Sequence, residues 1–196
     1  MLFRYSNGSP FARKAAIAAH MLGLTDKMEW VDHAADPENS TRHAHPLHKV
    51  PMLILDDGSQ IYDSPVIMEY FDALAGGGKL FPASGDERYK ALARLVLADG
   101  IAEAAVLIMY EGRYHEGEQV SQTWIDHQKG KIERTLAHFN ANTPGAFDGA
   151  AMGLFCAITF VDRLQYVPDW RDNNASLAAW FDDVKAGEAA VKATEP

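Results

Sequence analysis

The sequence has almost no sulfur chemistry available to it: Cys156 is the single cysteine among 196 residues. One cysteine excludes an intrachain disulfide and excludes a Cys-x-x-Cys redox pair. It makes a reducing, cytoplasmic setting the expectation. Cys156 stands in an apolar run, Gly153-Leu154-Phe155-Cys156-Ala157-Ile158, and reads as a small buried hydrophobe. Long apolar runs are missing too; nothing approaches the ~20 residues that cross a bilayer. The apolar start, Met1-Leu2-Phe3, is cut short by Arg4 and does not read as a signal peptide. Basic residues are in deficit, with 18 Lys and Arg against 27 Asp and Glu, a net charge of −9 and a pI of about 5.3. An acidic surface repels nucleic acid and anionic membranes, so neither is an expected partner. There is no internal repeat and no low-complexity tail.

What remains is 47% hydrophobic, enough for one large core or two small ones. Leu2 to Tyr5 has strand character, and Ser6-Asn7-Gly8-Ser9-Pro10 breaks it with turn residues. Pro10 to Leu22 reads as a helix, with Ser9 as N-cap, Pro10 in the first turn and Gly23 just past the end. Met28 to Val31 reads as a second strand, and 37–44 as a short helix. Val50 to Leu55 is the clearest strand. Asp57-Gly58 then turns the chain into Gln60-Ile61-Tyr62. Asp63 or Ser64 caps a helix to about Ala75, with Val66, Ile67, Tyr70, Phe71 and Leu74 at helical spacing. Gly76-Gly77-Gly78 is the candidate linker. Beyond Gly85 strand signals vanish. Helical patterns cover a long stretch from about Leu92 through Met109, then about 119–139, 148–166 and 175–186. The helix over 148–166 is apolar on nearly every face and should be central.

Four motifs in this order resemble the cytosolic glutathione transferases. They are Ser9-Pro10-Phe11-x-Arg13-Lys14, His45-Pro46-Leu47-His48-Lys49-Val50-Pro51, Asp56-Asp57-Gly58, and Asp63-Ser64 with Ile67 and Glu69-Tyr70. The first is similar to the serine-type, bacterial Ser-Pro-Phe-x-Arg-Lys branch. The resemblance covers essentially the whole chain. It implies an α/β thioredoxin-like N-terminal domain over residues 1–78 and an all-α helical C-terminal domain over 84–196. It further implies glutathione as co-substrate, a small hydrophobic electrophile as its partner, a role in detoxification, a homodimer, and no metal.

The same resemblance implies the site: Ser9 as the catalytic residue, with glutathione held by Phe11, Lys49, Val50, Pro51, Asp63 and Ser64. The chemistry suits these residue types. A free thiol has a pKa near ~8.5, so little thiolate exists at neutral pH. Lowering it by ~2 units takes about 2.7 kcal/mol of preferential thiolate stabilisation. A hydroxyl donor at a helix start supplies a hydrogen bond and the favourable end of the helix dipole. On sequence shape alone Ser9 reads first as an ordinary N-cap, a preference that the resemblance reverses, and Ser6 or a backbone amide competes for the sulfur. The resemblance makes Val50–Pro51 a cis bond, with the Val50 backbone pairing to the cysteinyl unit; without it, Pro51 simply starts a strand. Asp63 would accept from the γ-glutamyl amine, and Ser64 with its N–H would bind the carboxylate; otherwise the pair is a helix cap. Lys49 either pairs with the glycine carboxylate or is solvated. Arg13 and Lys14 read as structural or solvated. Met109, Tyr110, Arg113 and Tyr114 either line the second-substrate cleft or are packing and surface.

Two departures from the family pattern stand out. His45 sits where Asn is common. Asp148 caps the central helix, but Ala151 stands where a capping box needs an acid. His43, His45 and His48 invite a metal reading that their spacing and the absence of cysteine argue against. Conjugation of glutathione is the leading activity. A non-catalytic glutathione-binding or structural role, and a glutathione-dependent isomerase or dehalogenase, are the alternatives.

Overall fold

The computed structural model describes residues 1–33 and 45–195. The helix expected over 37–44, and His43 with it, lie outside the described residues. Four strands form one sheet in the order β2-β1-β3-β4: β1 (Leu2–Tyr5), β2 (Glu29–Asp32), β3 (Met52–Ile54) and β4 (Gln60–Ile61). β1 runs parallel to β2 and antiparallel to β3, and β3 is antiparallel to β4. The crossover between β1 and β2 is α1 (Pro10–Met21), and α2 (Ser64–Leu74) follows β4. After Asp86 the described residues are helical or connecting. They form α3 (Asp86–Tyr114), α4 (Gln122–Ala141), α5 (Gly149–Leu164), α6 (Trp170–Asn173), α7 (Ala175–Gly187) and α8 (Ala189–Ala193). The expected fold, a thioredoxin-like α/β part followed by an all-helical part, is the one observed.

Local chemistry accounts for most element ends. Ser9 Oγ accepts from the Ala12 N–H at 3.2 Å, and Gly23 leaves α1 at φ +65°. Gly58 turns the β3–β4 hairpin at φ +84°, and Asp57 Oδ1 accepts from the Ser59 N–H at 2.9 Å. Several boundaries differ from the pattern-based expectation. β3 is three residues instead of six, because Val50 and Pro51 form its approach and Leu55 already belongs to the hairpin turn, its N–H donating to Ser59 O at 2.8 Å. β2 starts one residue late, after a turn of 3₁₀ helix over Thr25–Lys27. α3 starts at Asp86, well before its first apolar pair, because exposed Tyr89 and Lys90 are carried on the helix without contributing a stripe. The short helices α6 and α8 have no periodicity of their own to betray them.

The glycine run 76–78 is pinned by a buried side chain. Asp72, 4% exposed, accepts from the N–H groups of Gly78, Lys79 and Leu80 at 3.1, 2.9 and 3.1 Å. Gly77 N donates to its main-chain carbonyl at 2.7 Å. α5 is central, as its composition implies; Met152, Leu154, Phe155, Cys156 and Ile158 are all buried. Its capping box is half missing, yet its cap is not idle. Asp148 Oδ1 accepts from Ala151 N at 2.9 Å, while Oδ2 meets Arg94 of α3 at 2.7 Å. The second carboxylate oxygen ties α5 to the neighbouring helix α3. Of the apolar positions at helical spacing on α2, Val66 and Leu74 are 51% and 42% exposed, whereas Met68, outside that set, is buried.

Candidate functional site

Sheet topology gathers the candidate residues. The register pairs Arg4 with Met52 and Leu53 with Ile61. The exit of β1, the entry of β3 and the exit of β4 therefore lie at one end of the sheet. Ser9 and Phe11 follow the first, Lys49 to Pro51 precede the second, and Asp63-Ser64 follow the third.

Each segment is anchored. Ser9 N donates to Ser6 O at 3.0 Å, which tightens the loop before α1. Arg163, near the end of α5, donates to Gly8 O at 3.0 Å and so ties that loop to the helical part. The Val50–Pro51 bond is cis, as the resemblance implies, and Tyr62–Asp63 is cis as well. His45 explains itself: its Nδ1 accepts from the Leu47 N–H at 2.9 Å, the i to i+2 bond that an Asn side chain makes in a turn. Its ring packs on Tyr62 at 4.1 Å between centroids, which joins the β3 approach to the start of α2. Burial lowers the His45 pKa, with Asp63 acting in the opposite sense, so the ring favours the neutral form that this bond needs. Lys49 is exposed.

At α2, the Asp63 carboxylate accepts from the Ser64 N–H and caps the helix. Ser64 is 0% exposed, and its hydroxyl oxygen has no hydrogen-bond partner. A buried hydroxyl without a partner costs free energy, of order 1–3 kcal/mol, so such an atom asks for a ligand.

Arg13 and Lys14 are structural, as one reading had it, but neither is solvated. Lys14 is 1% exposed and forms an ion pair with Asp99 of α3. Its ammonium lies 5.7 Å from the Phe11 ring. Arg13 is buried against Phe155 and the Val191 carbonyl. Cys156 is buried and its thiol is pushed up to about 12, chiefly by burial, which suits it for packing and not for nucleophilic work. Among the described residues no group of His, Cys, Asp or Glu is placed to hold a metal ion, and no helix is long and apolar enough to cross a membrane. Met109, Tyr110, Arg113 and Tyr114 cluster at the end of α3. Tyr110 meets Tyr114 edge-on at 5.6 Å, and Arg113 sits over the Tyr110 ring at 5.4 Å. The roles of Arg163, Asp72 and Asp99 had no signal in the sequence beyond the charges themselves.

Comparison with known proteins places this geometry. Residues 8–74 match the family model for the glutathione S-transferase N-terminal domain. A glutathione transferase family member from Pseudomonas fluorescens Pf-5, solved with bound S-(propanoic acid)-glutathione, is 32% identical. The match covers all of this chain and 99% of that one, with a TM-score of 0.87. A glutathione S-transferase from Methylobacillus flagellatus KT, solved with glutathione bound, is 31% identical over all of this chain and 98% of that one, with a TM-score of 0.90. The GST-like protein YibF of Escherichia coli K12, described as uncharacterized, is 26% identical over 96% of this chain and 95% of its own length.

Proposed function

The chain belongs to the glutathione transferase family, and on that premise we propose that it binds glutathione and transfers its thiolate to small apolar electrophiles. The reading is of a serine-type enzyme, acting in the cytoplasm as a homodimer in detoxification. The observation that carries it is the buried, unpartnered Ser64 hydroxyl at the start of α2, next to the Asp63 cap. A γ-glutamyl carboxylate would satisfy that hydroxyl and sit on the positive end of the helix. Asp63 would face the amine, the Val50 backbone would pair with the cysteinyl unit, and Lys49 would answer the glycine carboxylate. Pro51 and Phe11 would wall the tripeptide. Relatives 31% to 32% identical bind glutathione or a conjugate of it, which supports the same ligand here.

Within this reading Ser9 is the thiolate's donor. Its oxygen already accepts from Ala12 N, but its hydroxyl proton is free to point outward. The sulfur is the nucleophile; it attacks the electrophilic carbon as thiolate, and a displaced leaving group departs with the bonding pair. Residues 1–78 supply the glutathione site. The electrophile enters at the seam with 84–196, beside Met109, Tyr110, Arg113 and Tyr114. Exposed Val66 and Leu74 on α2, with Tyr89 and Val96 on α3, supply apolar surface for the dimer contact; the Glu69–Arg88 ion pair holds the two helices together there.

The test is calorimetric titration with glutathione, followed by turnover on a panel of aryl halides, epoxides and unsaturated carbonyls. Asp63→Ala and Ser64→Ala should each weaken glutathione about ten- to a hundredfold, the worth of one charge-assisted hydrogen bond. Unchanged affinity in both would reduce the pair to a helix cap. Binding without turnover on any electrophile would favour the non-catalytic reading.

A further inference from the structure

A cleft of about 230 Å³ lies along a different face of α1, between the loop that follows β1 and the C-terminal segment after α8. None of Ser9, Phe11, Val50, Pro51, Asp63 and Ser64 lines it, though Ser6, the alternative donor to the sulfur, does. Its charge comes from inside. Arg13 lines the cleft, is 8% exposed, and its Nε donates to nothing. Its partners are the Val191 carbonyl, 3.3 Å from Nη2, and the Phe155 ring, 5.3 Å from the guanidinium carbon. Among the described residues no carboxylate pairs with it. Lys14, its chain neighbour, takes Asp99.

A buried guanidinium with an idle donor and no counter-ion among the described residues is costly, and its planar fork suits a carboxylate. Aromatic rings also line the cleft, set at angles to one another: Trp30 is tilted 49° from His20 and stands edge-on to Tyr5 at 78°. Trp30 lies 5.9 Å from the His20 ring and 5.8 Å from the Tyr5 ring. The volume falls below the ~300–1,000 Å³ of pockets for drug-sized ligands, so the occupant is a fragment of about one ring. Glu195, exposed on the tail side, makes a multiply charged anion a poor choice.

We propose that this cleft is a second ligand site, which binds a small planar monocarboxylate with its carboxylate on Arg13 and its ring against Trp30 and His20. The cleft and the first site share a loop: Ser6 and Asn7 line the cleft, and Ser6 O accepts from Ser9 N.

Benzoate is the probe, and benzamide, its uncharged isostere, the control. The full chain is titrated at constant ionic strength and followed by tryptophan fluorescence, with Trp30→Phe separating the cleft's signal from the other three tryptophans. Benzoate should saturate, and benzamide should bind about tenfold weaker or worse, the loss of one charged hydrogen bond. Arg13→Lys, which keeps the charge and loses the fork, should weaken benzoate severalfold. Glu195→Gln, an exposed change with no effect on the core, should tighten it. Saturating S-methylglutathione should leave a benzoate site in place. The proposal is overturned if benzoate fails to saturate, if benzamide binds equally well, if Glu195→Gln leaves affinity unchanged or weakens it, or if S-methylglutathione displaces benzoate competitively. The last result would put benzoate in the glutathione site and leave the function proposed above standing.

Discussion

Replacing Lys14 by methionine removes one partner of the ion pair that joins α1 to α3. Lys14 is 1% exposed and Asp99 15% exposed, so the carboxylate left behind has little access to water. Breaking a buried pair on one side costs about 3–5 kcal/mol, because the stranded charge keeps its desolvation penalty and loses its compensation. For a chain of this length that corresponds to a fall in Tm of about 6–20 °C. The loss should depend on pH, and its sign follows from Asp99. Burial already raises the Asp99 pKa above the ordinary aspartate value, against the opposing pull of Lys14. A carboxyl whose folded pKa is raised favours the folded state below its unfolded pKa, near ~3.9, and loses that contribution as pH rises through its folded pKa. Removing Lys14 raises the folded pKa further. The gap between Lys14→Met and the natural chain should therefore be small near pH 4 and widen toward pH 7. Adding Asp99→Leu should recover most of the stability at neutral pH, because a matched apolar pair avoids both desolvation costs. Denaturant melts at several pH values, read by circular dichroism, measure all of this. A Lys14→Met deficit that stays constant from pH 4 to 7, or a double variant no better than the single, would refute the reasoning.

Other outcomes follow from the same structure. Ser9→Ala should raise the pKa of bound glutathione thiol by about 1–2 units while leaving affinity within a few-fold, and turnover should recover as pH rises; thiolate absorbance against pH reads it, and a curve moved by Ser6→Ala instead would reassign the donor. Gly149→Ala should destabilise by about 1–3 kcal/mol, because the added carbon would meet the Phe81 ring at 2.4 Å; an unchanged melt would mean that the ring moves aside freely. Light scattering at micromolar concentration should give twice 21.6 kDa, and a clean monomer would defeat the dimer contact through α2 and α3.

Much of the candidate site could be read in the chain because its signals are local. Ser9 before Pro10, Asp63 before Ser64 and Asp57-Gly58 each act on backbone groups within a few residues, and a cap or turn needs no distant partner to be recognised. The apolar content of the stretch around Cys156 likewise required a buried helix whatever surrounded it. Helix ends such as the start of α3 were less legible, since exposed residues leave no periodic trace.

Tertiary structure alone decided the rest, for a single reason: a charge in a sequence carries no sign of whom it will meet. Lys14 and Arg13 are adjacent, yet one finds Asp99 across 85 positions and the other finds only a carbonyl and a ring. Asp72 looks like a surface acid of α2 and instead gathers the N–H groups of Gly78, Lys79 and Leu80. His45 looked like a departure and makes the bond an Asn would make. The sequence determined by itself most of the longer strands, helices and turns, and the local caps of the candidate site; strand pairing brought those segments to one end of the sheet. Only the packing of α1 against α3 and α5 decided which charges are compensated, and long-range contacts of that kind are fixed when the helices dock.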